Sequence, residues 1–203
     1  MYSEENAIKT MLQSQFIDRI YINILVDTYE DFIYPNLIET ESVKEQTLFN
    51  ASYTKDGDFY EIDADVTAEN IAAIKVILAR IFYDIFILGY PMQEDISKSI
   101  LASIFFNTWS DNFENDRVEA QITVDVYAAT GFYLEGSYAS RIIKSIELFG
   151  DTETASRTFK GWEFIEVSSR GASSRLPETY LVTIHGKEYY PFRFTFDLVY
   201  REI

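Results

Sequence analysis

Cysteine is absent from this chain and histidine occurs once. The first absence removes disulfide staples, thiolate nucleophiles and cysteine-ligated zinc, and the second removes most imidazole catalysis and histidine-clustered metal sites. Only 4 Pro and 8 Gly are present, which excludes a collagen-like or Pro/Gly-rich disordered polymer. Basic residues are few as well, 17 Lys and Arg against 33 Asp and Glu, and the resulting charge of −16 repels nucleic-acid phosphates. An apolar run long enough for a membrane span is missing: Ile71 to Tyr90 is interrupted by Lys75, Arg80 and Asp84, so a buried helix is expected there. Met1-Tyr2-Ser3-Glu4-Glu5-Asn6 is acidic and polar where a secretory signal opens basic and turns apolar, so synthesis in the cytoplasm without export is expected.

What is present is enough apolar surface for a core. At 203 residues and 47% hydrophobic composition, one α+β domain over 1–203 is the expected unit, with an acidic part over 1–116 and a second part over 117–203. Acidity is segregated: through Asp116 the chain holds 21 acidic and 7 basic residues, and after it 12 and 10. Such asymmetry marks either a well-solvated surface or a face with its own electrostatic task.

Periodicity sketches the elements. Ser3 caps a helix carrying Ala7, Ile8, Met11, Leu12 and Phe16. Arg19 to Val26 reads as a buried strand, and Thr28 to Glu45 as a connection, because Pro35 biases Tyr34 away from helical geometry. Asp56-Gly57 joins two strand-like runs, Thr47 to Thr54 and Phe59 to Val66, into a hairpin; Tyr60, Ile62, Ala64 and Val66 line one face of the second run, and Glu61, Asp63 and Asp65 the other. Two apolar helices follow, one capped by Thr67 and reaching Leu88, the other opened by Asp95 and carrying Ile100, Leu101, Ile104 and Phe105. Val118 to Ala128 alternates as a strand, Ser137 to Phe149 as a helix, and Gly161 to Ser168, Thr179 to Ile184 and Tyr189 to Tyr200 as three more strands. Pro191 suggests an edge or a bulge. The fold class is therefore a mostly antiparallel sheet packed against several helices, with an acidic hairpin and two apolar helices in the first half.

Chemistry is sparse. The carboxylates from Asp56 to Asp65 have the oxygen chemistry of a divalent-cation site, but an EF-hand-like loop starting at Asp63 needs Gly where Ala68 stands, so a solvated strand face is the reading. His185 beside Gly186 reads as a surface turn residue, not a general base. Gly131 to Ser137 lacks the lysine of a phosphate loop. No catalytic, cofactor-binding or metal residue is predicted, and no cofactor. Ser168 to Arg175 forms a small-residue basic loop whose Arg170 and Arg175 are candidates for a subunit contact, meeting carboxylates such as the acidic face Glu61, Asp63 and Asp65 of a neighbour.

From Val118 onward the order strand, glycine-containing loop, helix and three strands, through Gln121-Ile-Thr-Val-Asp-Val-Tyr127, Gly136-Ser-Tyr-Ala-Ser-Arg-Ile-Ile143 and the closing Tyr189-Tyr-Pro-Phe-Arg-Phe-Thr-Phe-Asp-Leu-Val-Tyr200, resembles the neck and tail-terminator proteins of tailed bacteriophages. The likeness covers residues 117–203. It implies a non-enzymatic virion protein, made in the host cytoplasm. Such a protein forms a homo-oligomeric ring, commonly a hexamer, that caps the tail tube and joins it to the head through tube, sheath or connector partners. It reads no nucleic-acid sequence and meets no membrane. In such a ring the Glu61, Asp63 and Asp65 face would line the DNA channel and keep the polyanion from sticking. A different class remains open beside it: an acidic inhibitor whose carboxylates mimic DNA phosphates in the basic groove of a nucleic-acid enzyme.

Overall fold

The structure is a computed structural model and describes residues 4–92, 100–112, 116–129, 157–159, 161–169, 174–175 and 181–203. It opens with helix α1 (Glu4–Ile20), whose Ala7, Ile8, Leu12, Phe16 and Ile20 are buried at helical spacing, as the pattern predicts. The expected strand after it shrinks to β1 (Asn23–Leu25).

Where a connection was expected, the chain stays helical. Helix α2 (Val26–Thr28), a π-helical turn (Tyr29–Ile33) and α3 (Tyr34–Glu39) run end to end. The widened register explains how Pro35 is accommodated: Tyr34 donates its N–H to the Tyr29 carbonyl, and Pro35 then falls in the first turn of a new helical segment, where a missing donor is tolerated. Helix α4 (Val43–Ser52) replaces most of the first predicted hairpin strand. Its start is written in Ser42-Val43-Lys44-Glu45, with the Ser42 hydroxyl accepting from the Glu45 N–H at 3.3 Å.

The hairpin itself forms, but shorter: β2 (Tyr53–Asp56) pairs with β3 (Phe59–Ile62) around Gly57, whose φ of +55° suits glycine. With β1 they make a three-stranded sheet in the order β1-β3-β2. The aromatic side chains of this region clasp one another, Tyr29 against Tyr60 at 4.2 Å and Phe49 against Tyr53 at 5.5 Å between ring centres.

Helix α5 (Ala68–Ile81) is capped by Thr67, which accepts from the Asn70 N–H. It stops at Phe82 rather than running to Leu88, and Phe86–Leu88 becomes strand β4. The second predicted apolar helix is also overturned: Ile100–Asn112 is strand β5, parallel to β4, and residues 93–99 with Asp95 lie outside the described residues. The reason is that Leu101, Ala102, Ser103 and Ile104 are all buried, so both faces of the strand are covered and apolar spacing carries no strand period.

Beyond it, β6 (Arg117–Ala129), β7 (Arg157–Phe159), β8 (Trp162–Ser169), β9 (Ser174–Arg175), β10 (Val182–Ile184) and β11 (Lys187–Glu202) complete a sheet of eight strands among the described residues. Its main path is β4-β5-β6-β11-β8-β7, with β9 and β10 also paired to β11. The helix expected over Ser137 to Phe149 lies outside the described residues. Strand β11 is central, and Pro191 sits within it opposite Tyr127 of β6 in unbroken register. On its other side β10 pairs with β11 as far as Tyr189 and β9 from Phe192, so among the described residues no strand pairs with Pro191 there, where its missing N–H costs no ladder bond; a register shift against β8 falls between Val199 and Tyr200. His185 occupies the β10–β11 turn at φ +46°, followed by Gly186 at +85°.

Strands from both sequence parts share this sheet, because β5 of the first pairs with β6 of the second. Helix α1 lies over one face. Phe16 meets Phe82 and Phe86 edge-on at 5.4 and 6.3 Å, and a contiguous buried cluster runs from Ile8 and Phe16 through Val124 and Phe196 to Tyr200. At the start of α1 the Tyr200 hydroxyl donates to Glu4 Oε2 at 2.7 Å.

Candidate functional site

Three places carry charge or shape beyond what the core requires, and the acidic region comes first. Residues 21–69 hold twelve carboxylates, from Asp27 to Glu69, against Lys44 and Lys55, which is −10 of the chain's −16. The predicted face of Glu61, Asp63 and Asp65 does not form as one strand face, since β3 ends at Ile62. Glu61 is exposed on β3, with Asn23 and Thr54 beside it in register. Asp63 turns back into the hairpin: its N–H donates to the Ser52 carbonyl at 2.9 Å and its carboxylate accepts from Thr54 Oγ1 at 2.8 Å. Asp65 is exposed in the turn before the Thr67 cap. The three carboxylates therefore border one hairpin with different tasks, and among the described residues no group of acidic or imidazole side chains is arranged to hold a metal ion.

Of the two candidate contact arginines, Arg170 lies outside the described residues. Arg175 sits in β9, whose backbone pairs with β11 of the same chain opposite Phe192. The basic loop expected over Ser168 to Arg175 is thereby partly drawn into the sheet.

The second place is a groove between α1 and α5, about 620 Å³, lined by Lys9, Thr10, Gln13, Asp18, Lys75, Val76, Arg80 and Tyr83 among others. The helices run antiparallel, tied by Gln13 Nε2 donating to the Ala79 carbonyl at 2.7 Å and by Lys75 on Asp18 at 2.7 Å. Lys75 also lies over the Tyr21 ring and Lys9 over the Tyr83 ring. Arg80 reaches out of the groove to a bidentate pair with Glu45, at 2.9 and 2.7 Å, which holds the Glu45 carboxyl below its ordinary pKa and raises that of the guanidinium. Cations thus gather here in a molecule that is otherwise acidic. Val76 and Tyr83, at 70% and 59% exposure, leave apolar surface on the rim.

The third place is the sheet face turned away from α1. Asp125 of β6 is nearly buried and takes a bidentate pair from Arg193 of β11, both contacts at 2.7 Å. The Tyr127 hydroxyl lies 3.5 Å from the same carboxylate; burial first and then the Asp125 charge push its pKa up to about 12. Asn107, Gln121, Thr123 and Asp197 continue a line of polar contacts across β5, β6 and β11. Burial likewise raises the phenol pKa of Tyr53, which donates to the Tyr21 carbonyl at 2.7 Å in the small sheet.

Sequence reading missed both the groove and the Asp125–Arg193 pair. A signal existed for the pair, since each is a charge inside a long alternating strand, but only register brings them opposite one another. For the groove, Lys9, Lys75 and Arg80 are far apart in sequence and unremarkable singly. Compared with protein-family models and with curated protein sequences, the chain has no significant match.

Proposed function

We propose that this chain is a non-enzymatic structural subunit that works by packing against copies of itself, as a tail-terminator-like virion protein would. It would form a ring at the end of a tail tube or in the neck that joins tail to head. The observation that supports this reading best is the apolar surface left exposed around the helical region: Tyr34, Ile38, Val43, Val76 and Tyr83 all stand at 46% exposure or more. Side chains of this size on a water-facing surface are typical of areas that a protein partner covers. The long central strands β5, β6 and β11 give such a subunit a stiff frame, and a product assembled in the host cytoplasm needs no disulfide.

Light scattering of the purified chain, followed by negative-stain imaging, tests this reading. A ring of about six subunits is expected from the resemblance; a monomer that also fails to bind tail tubes overturns it.

A second reading is favoured by one specific observation, the charge of residues 21–69. A protein whose acidic residues gather on one helical and hairpin region suits a basic groove on a nucleic-acid-binding enzyme. Binding of that kind weakens steeply with salt, whereas a ring held by apolar contacts persists.

A further inference from the structure

We propose that Ser103 is a reserve partner for Asp125: the carboxylate can exchange Arg193 for the Ser103 hydroxyl, which frees the guanidinium at the surface without stranding a buried charge. This device belongs to the sheet face turned away from α1 and does not depend on the oligomer reading above.

An unused hydroxyl carries the proposal. Ser103 of β5 is fully buried, yet its Oγ has no hydrogen-bond partner. A dry, unpaired hydroxyl is costly to keep, and a second arrangement that uses it supplies the reason for its presence.

Register places that arrangement. Ser103 lies directly opposite Asp125 of β6, and Arg193 of β11 lies opposite Asp125 from the other side. The carboxylate therefore stands in the middle of one row, with arginine on one flank and serine on the other. Side chains directly opposite in an antiparallel pair share a face with their Cβ atoms about 5 Å apart, so a serine–carboxylate hydrogen bond needs only side-chain rotation. In the present arrangement Arg193 occupies both carboxylate oxygens, Nε on Oδ1 and Nη2 on Oδ2, each at 2.7 Å, and the serine is left over.

The two members of the ion pair differ in their access to water. The Arg193 side chain is 60% exposed and that of Asp125 8%. The guanidinium can swing into solvent and rehydrate, whereas the carboxylate cannot follow and must be held where it is. Two hydroxyls are in place to hold it, Ser103 from β5 and Tyr127, whose oxygen already lies 3.5 Å from Oδ2. Two O–H donors then replace two N–H donors, and the number of charge-assisted hydrogen bonds on the buried carboxylate is kept. The released guanidinium is open to an oxyanion brought to this face.

A double-mutant cycle on the full-length protein, read by urea unfolding, tests the exchange. In the unaltered background Ser103→Ala removes a hydroxyl that bonds to nothing, and the unfolding midpoint is expected to stay or rise. In the Arg193→Ala background the same substitution takes away the carboxylate's reserve donor, and the folding equilibrium constant is expected to drop at least about tenfold further. If Arg193→Ala does not fold, Arg193→Lys carries the same comparison, because a single ammonium leaves one carboxylate oxygen for Ser103. An equal loss from Ser103→Ala in both backgrounds overturns the proposal, since the hydroxyl then has a partner other than Asp125. No loss in either background overturns it as well, since Ser103 then never takes up the carboxylate.

Discussion

The Asp125–Arg193 and Glu45–Arg80 pairs have the same chemistry, a bidentate guanidinium on a carboxylate at 2.7 to 2.9 Å, and they sit in opposite surroundings. In the large sheet the carboxylate is buried, because the long strands are covered on both faces near their centre. A polar group there must find its partner across the register. In the helical region the Glu45–Arg80 pair lies at the rim of an open groove, where water competes for both charges. The difference teaches where charge in this molecule supports the fold and where it shapes a surface. Twelve carboxylates over residues 21–69 are tolerated because most remain hydrated, and their effect is on what approaches.

The most severe way to break this contrast is to separate the two regions. Phe16 is fully buried between α1 and β4, and Phe16→Ala is expected to destabilise the protein by about 3–5 kcal/mol. Urea unfolding followed by tyrosine fluorescence and by circular dichroism checks it. Coincident transitions mean that helices and sheet still unfold together, and separated ones mean that Phe16 is the principal tie.

Asp125→Ala comes next, with an expected loss of about 2–3 kcal/mol; Arg193 can rehydrate, which keeps the loss below that of a fully buried pair. A pH effect accompanies it. The Tyr127 pKa is about 12 in the folded protein against an ordinary 10, so its contribution is fully present below pH 10 and disappears as pH rises toward 12. Removing the Asp125 charge should lower that phenol pKa, seen as earlier growth of the phenolate absorbance. No change in the titration would mean that burial alone sets it.

The smallest effect is expected at the exposed pair. Arg80→Ala should cost about 0.5–1 kcal/mol in the same unfolding measurement. A loss as large as that of Asp125→Ala would erase the distinction between the two regions.

Elements with local cues were legible. Helix α1, the Thr67 cap, the Asp-Gly hairpin, β6 and the His185-Gly186 turn all declare themselves through periodicity, a capping hydroxyl or a glycine at positive φ. The misread elements had cues of two kinds. Ser42 and Glu45 carry a helix start that the β-like composition of Thr47 to Thr54 overshadows, and Pro35 reads as a breaker although a π-turn absorbs it. Ile100 to Phe105 had no decisive period, because burial on both faces removes it.

By itself, then, the sequence determined an acidic chain without thiol chemistry, one that alternates helical and strand periods and concentrates carboxylates before residue 70. Charge and periodicity are properties of neighbouring residues and survive without a fold. Tertiary structure alone decided that Ile100–Asn112 is a strand, that Asp125 meets Arg193, and that Lys9, Lys75 and Arg80 line one groove. Each of these depends on register or helix packing between residues far apart in the chain, and the free energy that selects them comes from burying surfaces that no single segment possesses.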